Sequence, residues 1–148
     1  MKFIVNSMLG KLAKRLRMLG YDTLYDAKID DHEILKLSKE QDRCIITRDT
    51  GLSKIRGAKV FLIGSTKLEE QIKELKKLAT IKKSKKLLFS RCAECNSPLE
   101  EIEKDKIKEL VPPFVYKTVN GFHHCPACKK IYWHGTHTDK LLKEFKNI

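Results

Sequence analysis

Two close pairs of cysteines constrain this chain more than any other feature of its sequence. Cys92 and Cys95 form the first CxxC pair, and Cys125 and Cys128 form the second after 29 intervening residues. Four thiolates in two such pairs can enclose a tetrahedral zinc ion at about 2.3 Å from each sulfur. Because four protein ligands leave no open position, we predict a structural zinc and not a catalytic one. A redox-active dithiol is the alternative.

The spacer between the pairs predicts a small zinc ribbon over residues 91–137. It is long enough to hold an antiparallel strand pair, and zinc explains how a segment with few large apolar groups can fold. The fifth cysteine, Cys44, stands alone in an apolar run and is interpreted as a small core residue. An odd cysteine count with four residues in metal-type pairs indicates a reducing compartment and not a disulfide framework.

Short apolar runs alternate with helix-period segments over residues 1–80. Runs of strand length lie at 2–5, 22–25, 43–47 and 59–63, and each is followed by a segment with helical spacing of apolar residues. This alternation predicts an α/β domain in three α/β/α layers with a mainly parallel sheet. We further predict a basic linker over 81–90 and a C-terminal helix over 138–148 that packs back on the fold.

Charge and hydropathy indicate which partners the chain suits. It has 31 lysines and arginines against 19 acidic residues, a formal charge of +12 and a pI near 9.5. This balance favours a nucleic-acid partner, and a lysine-rich surface suited to solubility or high temperature is the alternative. No apolar stretch is long enough to span a membrane, and the amino terminus lacks a signal-peptide pattern. We therefore predict a cytoplasmic protein.

Oxygen-bearing side chains are predicted at the carboxyl edge of the sheet. Asn6 and Asp49 follow the first and third apolar runs, and Asp30 and Asp31 begin the helix between them. Ligands bind at this edge in open α/β sheets, and such oxygens suit magnesium or manganese, which activate water for phosphodiester hydrolysis. We therefore predict a catalytic site of Asp31, Asp49, Asn6 and Asp30. Each residue is also a good helix N-cap, which is the alternative reading.

Basic and aromatic residues near these sites are candidates for RNA binding. Cations can contact phosphates, and rings can stack on unpaired bases. The alternatives are a solvated helix face, a solvated linker, and packing of the ribbon on the main domain. The candidate residues are Lys11, Lys14, Arg15, Arg48, Lys82, Lys83, Trp133, His134 and His137.

Several stretches together resemble one known family. They read FIVNSMLGKLAKRLRMLGYDTLY, DDHEIL, CIITRD, RCAECNSPLEEI and CPACKKIYWHGTH. This set is similar to the ribonuclease family named for the C-terminal domain of the mutator-seven protein, and it covers essentially the whole chain. The resemblance implies a PIN-like α/β fold with a C-terminal zinc ribbon and RNase activity. It also implies that Asp31 and Asp49 occupy the family's acidic positions, with Asp30 and Arg48 beside them.

Two positions depart from the pattern of that family. Asn6 stands where the family usually has aspartate, and Gly64-Ser65-Thr66 follows the fourth strand where an acidic residue is frequent. Asparagine removes one negative charge from a divalent-metal site, so metal affinity should fall. Asn6 is consistent with a naturally weakened nuclease, with a binding protein on the same scaffold, and with an engineered loss of activity.

The leading hypothesis is a metal-dependent ribonuclease. Asp31 and Asp49, with position 6, would hold magnesium or manganese, and zinc would be structural. The rival is a non-catalytic RNA-binding or ribosome-associated protein on a degenerate PIN-like scaffold. A toxin-like PIN nuclease with a protein inhibitor is weaker, because the added ribbon does not suit so minimal a unit. RNA is the predicted partner, with the ribosome or transfer RNA as candidate contexts, and the resemblance makes a homodimer a candidate.

Overall fold

The computed structural model describes residues 1–79, 81, 82, 84 and 86–146. The first four strands are β1 (Phe3–Val5), β2 (Thr23–Tyr25), β3 (Cys44–Thr47) and β4 (Val60–Leu62). They alternate with the helices α1 (Gly10–Met18), α2 (Asp31–Gln41), α3 (Thr50–Ser53) and α4 (Leu68–Leu78). The remaining elements are β5 (Glu100–Ile102), α5 (Pro113–Thr118), β6 (Phe122–His124), β7 (Ile131–Trp133) and α6 (Thr136–Lys146). Short 3-10 helices cover Ser7–Leu9 and Lys104–Ile107.

The first four strands form one parallel sheet in the order β2-β1-β3-β4. Val5 of β1 lies between Tyr25 of β2 and Ile46 of β3, so the carboxyl ends of these three strands meet at one edge. The chain moves outward from β1 to β2 and then returns past β1 to β3. The reversal at β1 and β3 is the switch point where ligands bind in open α/β sheets.

Helices cover both faces of this sheet, which confirms the predicted three-layer α/β/α arrangement. The side chains of β1 alternate between the faces, as expected for a strand. Phe3 and Val5 belong to a core cluster with residues of α1 and α4. Ile4 packs instead with Ile34 of α2 and with Ile45 of β3. All five side chains are fully buried.

The segment that contains Leu87 and Phe89 passes closely over the end of α1. Gly20 has a φ of 91°, a left-handed conformation that suits glycine at a helix C-terminus. A Cβ at this position would overlap the backbone of Leu87, and Phe89 N donates to the carbonyl of Met18 at 2.9 Å. Leu88 and Phe89 are buried in the main core. Part of the predicted linker over 81–90 is therefore packed on the α/β domain.

The C-terminal part forms a second sheet with its own small core. Its strands are antiparallel in the order β5-β6-β7, which confirms the predicted ribbon and adds a third strand. The core of this sheet includes Ile107, Val111 and Phe122, with Trp133 packed against them.

The last helix, α6, contacts the first domain. Leu141 and Phe145 enter the main core, and Glu144 pairs with Arg15 of α1 at 2.8 Å. The predicted domain boundaries stay a prediction. Among the described residues, none of the helices has the length and apolar character to cross a membrane.

Candidate active site and metal centre

The four paired cysteines converge on one point. Their sulfur atoms all lie within 4.8 Å of one another. The Sγ–Sγ distance is 3.4 Å from Cys92 to Cys128, 3.5 Å from Cys95 to Cys125 and 3.6 Å from Cys125 to Cys128. A tetrahedral zinc with Zn–S bonds of about 2.3 Å separates its sulfurs by about 3.8 Å. The thiols approach one another across the pairs as well as within them, so this arrangement suits one shared ion.

Each cysteine pair lies in a turn of the same construction. Cys92 O accepts from Asn96 N and Cys125 O accepts from Lys129 N, at 3.0 and 2.8 Å. Asn96 and Lys129 both have positive φ, at 69° and 64°. In the second turn the Cys128 amide points at the sulfur of Cys125, with N and Sγ 3.3 Å apart. We call these turns the first knuckle (residues 92–97) and the second knuckle (residues 125–130). The donor set and the spacing fit a structural zinc.

The first knuckle is docked on the start of β2 by buried polar contacts. Asn96 Oδ1 accepts from Thr23 N at 3.0 Å, and Asn96 Nδ2 donates to Asp22 at 2.8 Å. Arg17 of α1 is 4% exposed, and it donates to the carbonyls of Thr23 and Glu94 at 2.8 and 2.7 Å. These contacts join the metal centre to the amino edge of the parallel sheet.

Asp22 is the acidic centre of this junction. Arg43 Nη1 donates to its carboxylate at 2.7 Å, and Arg91 lies 3.7 Å away. Burial opposes ionisation of Asp22, but the hydrogen bonds from Arg43 and Asn96 outweigh burial and hold the pKa of Asp22 below its usual range. The carboxylate of Asp22 is therefore charged at neutral pH. Its role was not predicted from the sequence.

We expect Asn96→Gly to lower the free energy of unfolding by about 2 kcal/mol, because the buried Thr23 amide loses its acceptor. Lys129→Gly is the matched control, since both substitutions relieve a positive φ in a knuckle and Lys129 is exposed. Urea unfolding of the zinc-loaded proteins measures the difference. Equal stabilities of the two variants would show that the docking contacts contribute nothing.

At the opposite edge of the sheet, Asn6 and Asp49 follow neighbouring strands. Asn6 N donates to Ile46 O at 2.9 Å, which sets Asn6 beside the end of β3. Asn6 is 7% exposed, and its Oδ1 accepts from Met8 N at 3.2 Å. Asp49 is exposed, and its Oδ1 accepts from Gly51 N at 2.7 Å. Both side chains therefore act as helix caps as well as lying at the switch point.

Asp30 and Asp31 lie at the start of α2. Asp30 Oδ1 accepts from Glu33 N at 2.8 Å, so Asp30 is the N-cap. Asp31 is the first helical residue and is exposed. In the described part of the chain, the four cysteines are the one group of three or more His, Cys, Asp or Glu side chains close enough to share an ion. The acidic residues predicted at this edge do not form such a group: Asp30 and Asp31 belong to the start of α2, and Asp49 belongs to the start of α3.

A carboxylate that the sequence reading missed reaches the end of β4. Glu74 of α4 accepts from the backbone amides of Gly64 and Ser65 at 2.7 and 3.0 Å, and from the hydroxyl of Ser65. The Ser65 hydroxyl and the Gly64 amide lower the pKa of Glu74. Glu74 thus places a carboxylate beside Gly64-Ser65-Thr66, a segment that has no acidic residue of its own. Nothing in the helical pattern of α4 distinguished Glu74 from its solvent-facing neighbours.

A cavity of about 780 Å³ opens between the starts of α1 and α4, and its lining begins at Ser7, the residue after Asn6. Tyr25 stands in its wall, and its hydroxyl donates to Ser7 O at 2.9 Å. A Cβ at Gly10 would lie 2.6 Å from the Tyr25 hydroxyl oxygen, so a larger residue at position 10 would displace the Tyr25 side chain. Asp30 lines a separate cavity of about 470 Å³ on the other side of Tyr25. The polar groups of the larger cavity include Ser7, Lys11, Tyr25, Lys67, Gln71 and Glu144.

The basic residues predicted on α1 and just after β3 differ in their contacts. Lys11 is exposed at the large cavity. Lys14 pairs with Glu94 at 2.8 Å, and Arg15 pairs with Glu144 at 2.8 Å. Among the described residues, the buried Nε of Arg48 has no hydrogen-bond acceptor.

The candidate RNA-binding residues nearer the ribbon differ in their burial and contacts. Trp133 packs in the ribbon core, and its ring centroid lies 6.3 Å from that of Phe122. His134 and His137 are exposed, and the His134 ring stands edge-on to Phe89 at 5.3 Å. Lys82 is exposed, and Lys83 lies outside the described residues. Their roles in RNA binding stay predictions.

Comparison with known proteins gives the chain a family. Residues 1–145 match the model of the Mut7-C RNAse domain. The exonuclease mut-7 homolog of Homo sapiens is 26% identical over 117 residues, a match that covers 74% of this chain and 13% of that protein. The chain thus spans a small part of the length of that relative. No solved structure matches significantly. Since the family model covers nearly every residue, the chain belongs to the Mut7-C RNAse domain family.

Proposed function

We propose that this protein is a metal-dependent ribonuclease whose active site is the carboxyl edge of the parallel sheet. The observation that carries the proposal is the placement of Asn6 and Asp49 just after the adjacent strands β1 and β3. Membership in an RNAse domain family, together with the charge of +12, supports RNA as the substrate.

The oxygen donors at this edge provide part of the ligand set that a divalent ion needs. Magnesium binds through one or two carboxylates and keeps several waters, so Asp49 with Asn6 or Asp31 is a sufficient donor set. When bound, magnesium or manganese would supply an activated water and stabilise charge on the leaving oxygen. Asp49 has one carboxylate oxygen engaged by Gly51 N, which orients its second oxygen. Arg48, the neighbour of Asp49 in the sequence, would orient the phosphodiester.

A second candidate function is RNA binding without cleavage. It is favoured by the missing charge at Asn6 and by the caps at Asn6, Asp30 and Asp49, which engage one oxygen of each side chain. A site with a single carboxylate at the switch point has weak electrostatic attraction for a dication. The RNA-binding surfaces would be the same in both cases.

Calorimetric titration of the zinc-loaded protein with manganese separates the two functions. We expect measurable binding, a gain of about tenfold or more in Asn6→Asp, and loss in Asp49→Asn. Asparagine retains the capping ability of aspartate, so Asp49→Asn removes the charge and keeps the local fold unchanged. Asp42→Asn is the control, because Asp42 is a distant acid in a left-handed conformation that asparagine tolerates. Binding that is equal in Asp49→Asn and the control would contradict the proposed site.

A further inference from the structure

We propose that the exposed lysines of α1 and of the second knuckle form one binding surface for the backbone of single-stranded RNA, leading from the large cavity to the zinc ribbon. Lys11, Lys14 and Lys130 make up this surface, which we call the lysine track. The inference rests on the proposed function for its ligand, RNA. It adds the route that the strand takes and gives the second knuckle a role in binding.

Glu94 joins the two halves of the lysine track. Its carboxylate lies 2.8 Å from Lys14 Nζ and 3.5 Å from Lys130 Nζ. Glu94 belongs to the first knuckle, Lys130 to the second and Lys14 to α1, so three separate parts of the chain meet at this point. The side chains of the two lysines are 50% and 54% exposed. Their ammonium groups are accessible to a ligand at the surface.

The track continues along α1 to the large cavity. Lys11 precedes Lys14 by three residues and therefore lies on the same face of the helix. Lys11 also lines the large cavity. A strand with one nucleotide in this cavity would pass Lys11, then Lys14, and then Lys130 on the ribbon.

The charge arrangement around Glu94 differs from that of other exposed ion pairs in the described residues. Lys36 with Glu33, and Lys73 with Glu70, are one-to-one pairs within a single helix. At Glu94, two ammonium groups share one carboxylate. The cluster keeps a net positive charge and several free N–H donors. Exposed pairs of this kind are weak and screened by salt, so phosphate oxygens can displace the carboxylate.

Single-stranded RNA suits this surface better than a duplex. Lys11 lines an open cavity of about 780 Å³ at one end of the track, a volume that can receive an unpaired nucleotide and not a paired helix end. Contacts between lysines and phosphates carry no sequence information. We therefore expect the lysine track to bind single strands of any sequence.

The test is fluorescence anisotropy with a short labelled polyuridine strand, the zinc-loaded full chain and no added magnesium or manganese. We expect Glu94→Gln to bind about threefold or more tightly, because it frees both lysines. Glu33→Gln is the matched control, since it changes the net charge equally but frees a lysine on α2, on the other face of the sheet. The backbone carbonyl of Glu94 that accepts from Arg17 is retained in Glu94→Gln.

The converse variant removes the cations. Lys14→Gln with Lys130→Gln should weaken binding about tenfold and reduce the slope of log affinity against log salt by about 1.4, or 0.7 for each lost phosphate contact. The double variant with Lys36→Gln and Lys39→Gln on α2 is the control. It should change the affinity and the salt slope much less.

Three results would overturn the inference. They are the absence of RNA binding by the unmodified protein, equal effects of the track variants and their controls, and equally strong competition by a polyglutamate peptide, which would assign the surface to an acidic protein. Because no divalent ion is added, this test is independent of cleavage. RNA binding without cleavage would leave the lysine track intact and count against the proposed nuclease.

Discussion

Asp49→Asn is expected to reduce manganese-dependent RNA cleavage by roughly 100-fold or more, while Asn6→Asp raises it above that of the unmodified chain. Asp49 is the acid at the switch point, and asparagine there removes the charge that attracts the metal. Asn6→Asp restores a carboxylate on the adjacent strand. Asp can also accept the hydrogen bond from Met8 N that Asn6 now accepts, so the local fold should not change.

The measurement is cleavage of single-stranded and structured RNA by zinc-loaded proteins with manganese. Asp42→Asn serves as the control and should cleave like the unmodified chain. Cleavage by Asn6→Asp alone would identify a nuclease scaffold silenced at one position. Cleavage that survives in Asp49→Asn would contradict the proposed site. If no variant cleaves and all bind RNA, the non-catalytic function becomes the better account.

Cys92→Ser is expected to prevent metal binding and to unfold the ribbon. Structural zinc contributes roughly 10 kcal/mol or more to the folding of small metal domains, and the ribbon has only a small apolar core of its own. Trp133 is the single tryptophan of the chain and packs in that core. Its fluorescence therefore reports on the ribbon alone.

Bound zinc, tryptophan fluorescence and thermal unfolding measure this effect. Cys44→Ala is the control, because Cys44 is buried in β3 and lies outside the four-cysteine group; it should retain zinc and the native fluorescence. The first knuckle holds Thr23 and Asp22, so Cys92→Ser should also speed hydrogen exchange at the Thr23 amide. Native fluorescence in a zinc-free Cys92→Ser protein would show that the ribbon folds without metal.

Much of the fold follows from local sequence patterns. The first four strands and their helices were predicted from apolar runs and helical spacing, because side-chain periodicity reflects which face of an element is buried. The metal centre was predicted from two CxxC pairs, since the ligand spacing of a knuckle is local. Interpretation of Cys44 as a core residue was also confirmed, at 8% exposure.

Contacts between distant segments were not predictable in the same way. Asn96 and Arg17 have ordinary neighbours in sequence. Asn96 accepts from Thr23, 73 residues away, and Arg17 donates to Glu94, 77 residues away. Glu74 reaches the end of β4 only because α4 folds back on the sheet. The convergence of Lys14, Glu94 and Lys130 has the same origin.

The sequence by itself determined the class of the fold, the two cysteine pairs that could hold a metal and the residues that follow the strands, because these depend on short-range spacing. Only the tertiary structure decided which of them meet. It brings Asn6 beside the end of β3 and sets Asp30 and Asp31 on a different helix start, because strand order and helix packing are set by burial over the whole chain. It also docks the first knuckle on β2, since the buried guanidinium of Arg17 must find acceptors and those lie in both parts of the molecule.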